Sequence, residues 1–142
     1  MRIEAARASD LAGIRWLLEY EYLPSEDVTE QLLSHFLVSR DEKGVIGAVA
    51  IEPFGNLVLL RSLVIADEYR GEGLGGRLVH AAEILAERRG SKAIYLLTTT
   101  AEKFFAARGY RTLPRTEAPM QIQGSSQFSR LCPSTAVLMV RP

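Results

Sequence analysis

The sequence predicts an α/β fold with a mixed, mostly antiparallel central sheet of six or seven strands and helices on both faces. In the first half of the chain, short runs rich in Val, Ile and Leu alternate with turn residues, as in antiparallel hairpins. In the second half, an amphipathic segment from about Leu74 to Arg89 separates two apolar runs. A strand, a helix and a strand of this length join parallel strands through a right-handed crossover.

The N-terminal segments predict one strand and two helices. Arg2–Ala6 is expected to form the first strand, and Ser9 is expected to cap the helix that follows. Thr29 is expected to start a second, shorter helix. The first helix carries apolar residues on one face at a spacing of three to four, namely Leu11, Ile14, Leu17 and Leu18.

Three predicted strands follow, at residues 36–39, 45–51 and 57–65. Turn residues fill the gaps between them, Asp41–Gly44 in the first and Pro53–Asn56 in the second, which indicates an antiparallel meander. The third run is nearly continuous in apolar residues. It is therefore expected in the middle of the sheet, covered on both faces.

The C-terminal third predicts short elements around one long connection. A strand over Ala93–Thr98, a helix over Glu102–Arg108, an extended segment over Tyr110–Leu113 and a last strand over Ala136–Val140 are expected. Residues 114–130 contain two prolines and a Gly-Ser-Ser stretch, so an ordered but irregular loop is expected there.

Length and composition predict a single cytoplasmic domain over residues 1–142. Apolar residues make up 47% and charged residues 24% of the chain, close to a soluble globular average. No run approaches the roughly 18–20 apolar residues that span a bilayer, and the N-terminus lacks the zones of a signal peptide. With 17 basic and 17 acidic residues the net charge is zero, which argues against nucleic-acid binding.

Cysteine and histidine usage argues against a metal site. Cys132 is the single cysteine, and His35 and His80 are far apart in the sequence. Zinc sites normally combine several such ligands at short spacings. No metal is therefore expected.

The most informative segment is the glycine-rich stretch Arg70-Gly71-Glu72-Gly73-Leu74-Gly75-Gly76, which precedes the long predicted helix. Glycines let the backbone turn sharply and approach a ligand closely, and a helix N-terminus presents free N–H groups to phosphate oxygens. Arg70 adds a charged donor. The stretch lacks the Gly-Lys-Ser/Thr ending of a Walker loop, and it follows a meander instead of the first strand of a dinucleotide-binding unit. A tight connection without a ligand stays open as the alternative.

Three linked segments resemble the GNAT superfamily of N-acetyltransferases. Arg70-x-x-Gly73-x-Gly75 is similar to the family's Arg/Gln-x-x-Gly-x-Gly/Ala signature, and the preceding Ser62–Ala66 and Glu68–Gly71 resemble its surroundings. Downstream, Ala101-x-x-Phe104-Phe105-x-x-x-Gly109-Tyr110 resembles the family's second cofactor motif. The resemblance covers essentially the whole chain and implies the GNAT fold.

The resemblance implies acetyl-CoA as co-substrate and direct acetyl transfer to an amine. It implies that three segments hold the coenzyme. The strand residues Leu63, Val64 and Ile65 would pair with the pantetheine arm. Arg70 and the amides of the turn would hold the pyrophosphate, the turn residues being Gly71, Gly73, Leu74, Gly75 and Gly76. Phe105 would lie along the thiol end, whereas ordinary core packing is the favoured interpretation for Phe104.

The chain departs from the family at the usual proton donor. Members often have a tyrosine at the position of Phe105 and an asparagine at that of Thr98. Tyr110, Cys132 or a water could donate the proton instead, and a buried packing role is the more frequent fate of a free cysteine.

Arg61 and Glu52 are the candidate residues on the acceptor side. Arg61 interrupts an apolar strand, and a buried guanidinium must be paired or open onto a polar cleft. If Pro53–Asn56 forms the loop, Arg61 lies opposite Ala48 and about 13 Å from the level of Glu52, which disfavours that pair. Arg61 is then expected either to bind a substrate carboxylate or to form another ion pair. Glu52 is the candidate general base.

The expected acceptor is a small amino acid or an amino-acid analogue. The segments Arg61–Leu63, Leu97–Thr98 and Phe128–Pro133 resemble short amino-acid acetyltransferases of the N-acetylglutamate-synthase kind and, more closely, arsenic-resistance N-acetyltransferases. Ser62 and Ser126 join Arg61 as candidate substrate-binding residues. An acyl-CoA sensor without catalysis, or a protein or antibiotic acetyltransferase, stays open. The last strand is a candidate homodimer contact.

Overall fold

Seven strands form one sheet in a computed structural model that describes residues 2–142. In chain order they are β1 (Ile3–Ala5), β2 (Phe36–Asp41), β3 (Gly44–Phe54), β4 (Leu57–Ile65), β5 (Ala93–Thr98), β6 (Arg111–Leu113) and β7 (Val137–Arg141). Their spatial order is β1-β2-β3-β4-β5-β7-β6. All neighbouring pairs are antiparallel except β4 and β5, which are parallel. The predicted mixed, mostly antiparallel sheet is confirmed.

Five short or medium α-helices accompany the sheet: α1 (Leu11–Tyr20), α2 (Glu30–Leu33), α3 (Leu74–Arg88), α4 (Glu102–Ala106) and α5 (Met120–Gln123). The predicted cap at Ser9 is wrong. A 3-10 turn over Ala8–Asp10 precedes α1, and the Asp10 carboxylate accepts the Arg7 backbone N–H at 2.8 Å. No helix among residues 2–142 is long and apolar enough to cross a membrane.

The two faces of the sheet are covered by different helices. Successive side chains of β3 alternate between two buried clusters, since strand residues point to opposite faces. Val49 and Ile51 pack with α3 residues such as Leu78. Ala48 and Ala50 pack with residues of α1 and α2. The strand β4, with neighbours on both edges and helices on both faces, is the central strand that the apolar run predicts.

The hairpin between β3 and β4 is tighter than expected. Pro53 and Phe54 belong to β3, and only Gly55 and Asn56 form the turn, with Phe54 opposite Leu57. Gly55 has a φ of 65°, a conformation that glycine adopts without steric cost. The shorter turn moves the register by two residues, so Arg61 lies opposite Ala50 and not opposite Ala48.

A bulge in β4 lies next to Arg61. Ala50 pairs with Arg61 and Ala48 pairs with Val64, so Val49 faces two residues, Ser62 and Leu63. Ser62 has a φ of 59°, which is unusual for a residue other than glycine. Such bulges increase the local twist and redirect the side chains that follow.

The segment 114–130 differs from its prediction. It contains a 3-10 turn over Arg115–Glu117, the helix α5 and most of a π-helical turn over Gln127–Leu131. Its prolines stand before helical turns, where a missing N–H costs nothing. Both edges of β7 are paired, with β5 on one side and β6 on the other. The homodimer contact through the last strand stays a prediction.

Ser62 offers a test of the bulge. Replacement of Ser62 by Gly and by Ala removes the same hydroxyl, but only glycine relieves the left-handed backbone conformation. The free energy of unfolding of Ser62→Gly should exceed that of Ser62→Ala by about 1 kcal/mol. Urea denaturation of both variants measures the difference, and equal stabilities would contradict a left-handed Ser62.

Candidate functional site

The sheet opens where β4 and β5 part. The two strands pair only over Leu57–Leu59 and Ala93–Tyr95. Beyond these residues β4 keeps its ladder with β3 but has no ladder with β5. A cavity of about 540 Å³ occupies this gap. It is lined on one side by residues 60–65 of β4 and on the other by residues 96–101, at and after the end of β5.

Other segments close the remaining sides of the cavity. The connection between α1 and α2 contributes residues 21–24, and α4 contributes Phe104 and Phe105. Gln127, Cys132, Pro133 and Ala136 line it from the C-terminal part of the chain. Arg70 and Gly75 lie at the glycine-rich turn. The cavity therefore extends from that turn to a floor of mixed apolar and polar side chains.

The glycine-rich turn has the geometry of an anion site. Gly71 and Gly73 have φ values of 79° and 83°, and α3 begins at Leu74 directly after them. The N–H of Arg77 is the first that reaches a helical acceptor, the carbonyl oxygen of Gly73 at 3.1 Å. The amides before it, including those of Gly75 and Gly76, have no acceptor within the helix, as in any first turn. They can therefore receive phosphate oxygens.

Arg70 connects this turn to the opposite wall. Its Nη2 donates to Glu21 Oε1, and its Nη1 lies 3.6 Å from Asp67 Oδ1. Glu21 belongs to the connection after α1 that lines the cavity. The Arg70–Glu21 pair therefore connects the glycine-rich turn to the segment after α1. Because the guanidinium is about half exposed, it stays accessible to an incoming anion.

Both phenylalanines of α4 line the cavity. Phe105 is buried and packs edge to face on Phe104 and on Tyr110, with ring centroids 5.0 and 5.3 Å apart. Phe104 packs against the core but also borders the cavity, and Arg108 stacks over its ring. Core packing alone therefore does not describe Phe104.

Arg61 is buried and held by two carboxylates. It is 4% exposed, and Asp27 accepts from both Nη1 and Nη2 at 2.5 and 2.6 Å. Glu52 Oε1 accepts from Nη1 at 3.2 Å, and Ser62 Oγ accepts from Nε at 3.1 Å. The predicted separation of Arg61 and Glu52 is wrong, because the two-residue turn brings them to diagonal positions. The ion-pair interpretation of Arg61 is the one that fits these contacts.

Nothing in the sequence marks Asp27. It lies in an irregular segment before α2, and only the fold brings it to Arg61, 34 residues away. The one available signal was indirect: a buried arginine in an apolar strand requires a partner from elsewhere. Glu52, in contrast, lies on the neighbouring strand. It contacts Arg61 and is not itself part of the cavity lining.

Tyr110 lies outside the cavity, which contradicts its predicted role as a proton donor. Its hydroxyl donates to Oε2 of Glu83, a residue of α3, at 2.9 Å, and both residues are buried. Burial, reinforced by the Glu83 carboxylate, raises the pKa of Tyr110 well above its usual value. The sequence position next to Gly109 suggests proximity to the site, but the glycine turns the chain into the core.

Cys132 and Gln127 form one corner of the cavity. The Cys132 thiol donates to Gln127 Oε1 at 2.9 Å, and both residues line the cavity. Burial raises the pKa of the Cys132 thiol, so it stays protonated at neutral pH. The predicted substrate residue Ser126 is not part of the lining; its neighbour Gln127 is. The π-helical turn begins at Gln127 and directs that side chain inward.

Residues 2–142 contain no cluster of three or more His, Cys, Asp or Glu side chains that could hold a metal ion.

The sequence of residues 33–112 matches the model of the acetyltransferase (GNAT) domain family. An uncharacterized N-acetyltransferase of Chlorobaculum tepidum is 32% identical over 99 residues, which cover 68% of this chain and 62% of the relative. The chain therefore spans less than two thirds of the length of this relative.

Solved structures show the same fold. N-acetylglutamate synthase of Neisseria gonorrhoeae, complexed with coenzyme A and N-acetyl-glutamate, superposes with a TM-score of 0.84 at 22% identity, over 99% of this chain and 34% of the synthase. A Mycobacterium tuberculosis protein complexed with CoA and NLQ also gives 0.84, at 17% identity, over 99% and 98% of the two chains. At these identities the likeness is one of fold.

Asp27 should be essential for stability. Its removal in Asp27→Ala leaves the buried Arg61 with Glu52 as its only carboxylate partner, which should lower the free energy of unfolding by about 3 kcal/mol. Glu26→Ala, at the exposed neighbouring position, should change it by about 0.5 kcal/mol or less. Urea denaturation compares the two variants, and similar effects would show that the Asp27–Arg61 pair does not stabilise the fold.

Proposed function

This chain belongs to the GNAT acetyltransferase family, and from that membership we propose that it transfers the acetyl group of acetyl-CoA to the amine of a small molecule, an amino acid or an amino-acid analogue. The observation that carries this proposal is the parting of β4 from β5 beside the N-terminus of α3. The parting creates a cavity that has the unpaired edge of β4 along one side and the free backbone amides of the glycine-rich turn at one end.

The coenzyme fits this cavity by its chemistry. The edge of Leu63, Val64 and Ile65 toward β5 has no strand partner, so its N–H and C=O groups are available to the amides of a pantetheine arm. The amides from Gly71 to Gly76 and the Arg70 guanidinium suit a pyrophosphate. Phe105 would then border the thioester end. The two solved neighbours, both complexed with CoA, support the proposal.

The reaction requires two proton movements. The amine nitrogen attacks the thioester carbonyl carbon, an N–C bond forms and the C–S bond breaks. An amine with a pKa near that of lysine is mostly protonated at neutral pH and must lose a proton before attack. We assign this proton to Glu52, reached through water, because Glu52 contacts the cavity wall at Arg61.

The leaving thiolate needs less assistance, since an unperturbed thiol has a pKa of about 8.5. Cys132 lines the cavity with its thiol protonated, so it is the donor that we assign to the departing sulfur. Water is the alternative donor. Arg61 holds the cavity wall beside Cys132 in place. The Ser62 oxygen accepts a hydrogen bond from Arg61 Nε, so the Ser62 hydroxyl proton can be donated to the amine substrate.

Gly75 provides a test of coenzyme binding. A Cβ at Gly75 would meet Phe104 at 3.7 Å, an ordinary contact, but it would project where the phosphate is proposed to lie. Gly75→Ala should weaken CoA binding about tenfold or more, the effect of losing one hydrogen bond to a charged group. Isothermal titration calorimetry with CoA measures it. Gly124→Ala, where a Cβ also has ordinary contacts, should bind CoA like the wild type.

Thiol release tests the activity itself. The wild type should release free CoA from acetyl-CoA on addition of amino acids, and Glu52→Gln should lower kcat about 100-fold or more while CoA affinity stays unchanged. Glu42→Gln, at an exposed turn, is the matched control. Binding of CoA without thiol release in the presence of any amine would favour an acyl-CoA sensor, which Phe105 in place of the usual tyrosine also favours.

A further inference from the structure

The polar corner of the cavity contains an unused hydrogen-bond donor. Gln127 is only 6% exposed and lines the cavity. Its Oε1 accepts the Cys132 thiol, but no acceptor among residues 2–142 contacts its amide nitrogen. That nitrogen keeps some accessible surface, since the only fully buried side-chain N or O without a partner in the described residues is Ser39 Oγ. Because Gln127 lines the cavity, a group bound there can reach this nitrogen.

The Gln127 side chain is largely buried, so its amide nitrogen has lost most of its contact with water and no protein acceptor replaces it. Proteins seldom keep such groups unless a ligand or water completes them. The π-helical turn that begins at Gln127 fixes its direction. Arg115 holds this turn, donating to the carbonyl oxygens of Phe128 and Ala136 at 3.2 and 3.1 Å. The donor is thus built into a supported position.

Arg61, the obvious cation of the cavity, is nearly saturated. A guanidinium has five N–H donors. Both of those on Nη1, the one on Nε and one on Nη2 are already bound to Asp27, Glu52 and Ser62. Arg61 can therefore supply positive potential but hardly a bidentate contact, so an anionic substrate group requires another donor.

The charges near Gln127 favour an anion. Burial raises the pKa of the neighbouring Cys132 thiol, whereas Arg61 and then Arg115 lower it and Asp27 raises it by less than either. At the Cys132 sulfur, the two arginines together lower the pKa by more than Asp27 raises it. A negative group beside Cys132 is stabilised by this potential.

We propose that the Gln127 amide nitrogen donates a hydrogen bond to the carboxylate of the acetyl acceptor and makes the enzyme selective for amino acids over amines that lack a carboxylate. This inference rests on the proposed acetyltransferase function and names the residue that defines its acceptor class. Gln127 selects the acceptor, and the proton transfers are left to Glu52 and Cys132.

The test compares acceptors that differ only in the carboxylate. A panel of α-amino acids, each paired with the amine formed by its decarboxylation, is assayed by thiol release with the wild type, Gln127→Leu and Gln127→Glu. The wild type should prefer the amino acids. Gln127→Leu should lower kcat/KM for the best amino acid about 10- to 100-fold, mainly through KM, and should affect KM for its paired amine far less.

Gln127→Glu keeps an oxygen that accepts from the Cys132 thiol, so it is the control for misfolding caused by loss of that hydrogen bond. Its negative charge should raise KM for the amino acid further. Gln121→Leu, an exposed position on α5, is the matched control. Equal use of amino acids and their amines by the wild type, or an unchanged KM in Gln127→Leu, would overturn this inference while leaving the acetyltransferase function intact. A wild type that releases no thiol with any amine would overturn the function and, with it, the inference.

Discussion

The site depends on one asymmetry in the hydrogen bonding of β4. On the side of β3 the strand is paired from Leu57 to Ile65, interrupted only by the bulge, whereas on the side of β5 the pairing stops after Leu59. Unpaired backbone groups in a protein interior are expensive unless something satisfies them. An open edge in the middle of a sheet is therefore stable only because solvent or a ligand with amide groups can occupy the gap.

The bulge and the buried arginine maintain this opening together. The extra residue at Ser62 and Leu63 changes the direction of β4 just where β5 leaves it. Arg61, the residue before the bulge, binds Asp27 from the α1–α2 connection and Glu52 from β3. The Arg61 side chain thus links β4, β3 and the connection between α1 and α2. Burying the Arg61 charge costs free energy, and the ion pairs with Asp27 and Glu52 offset that cost. The same pairs hold β4, β3 and the α1–α2 connection together.

The sequence predicts the framework of the fold well and the site only in part. Apolar runs such as Ala93–Thr98 locate strands because burial on both faces leaves a local signal. The glycine-rich turn is recognisable because the residues that form it are consecutive in the sequence. Arg61 and Glu52 were misplaced because their contact depends on whether two or four residues form a turn, and Pro53 inside a strand favoured the longer one. Asp27 and Gln127 depend on distant packing and leave no local pattern.

The charges of the cavity show why a neutral side chain can matter more than the arginines. Both arginines that line it have acidic partners from the segment between α1 and α2: Glu21 for Arg70 and Asp27 for Arg61. Arg70 is exposed enough to exchange its partner for a phosphate, whereas Arg61 is buried with nearly all donors used. The floor of the cavity therefore has no free cationic donor among the residues that line it. In such a site a rigid, uncharged amide can give direction to an anion that the arginines only attract, and specificity comes from the polar group that would be left unpaired with the wrong acceptor.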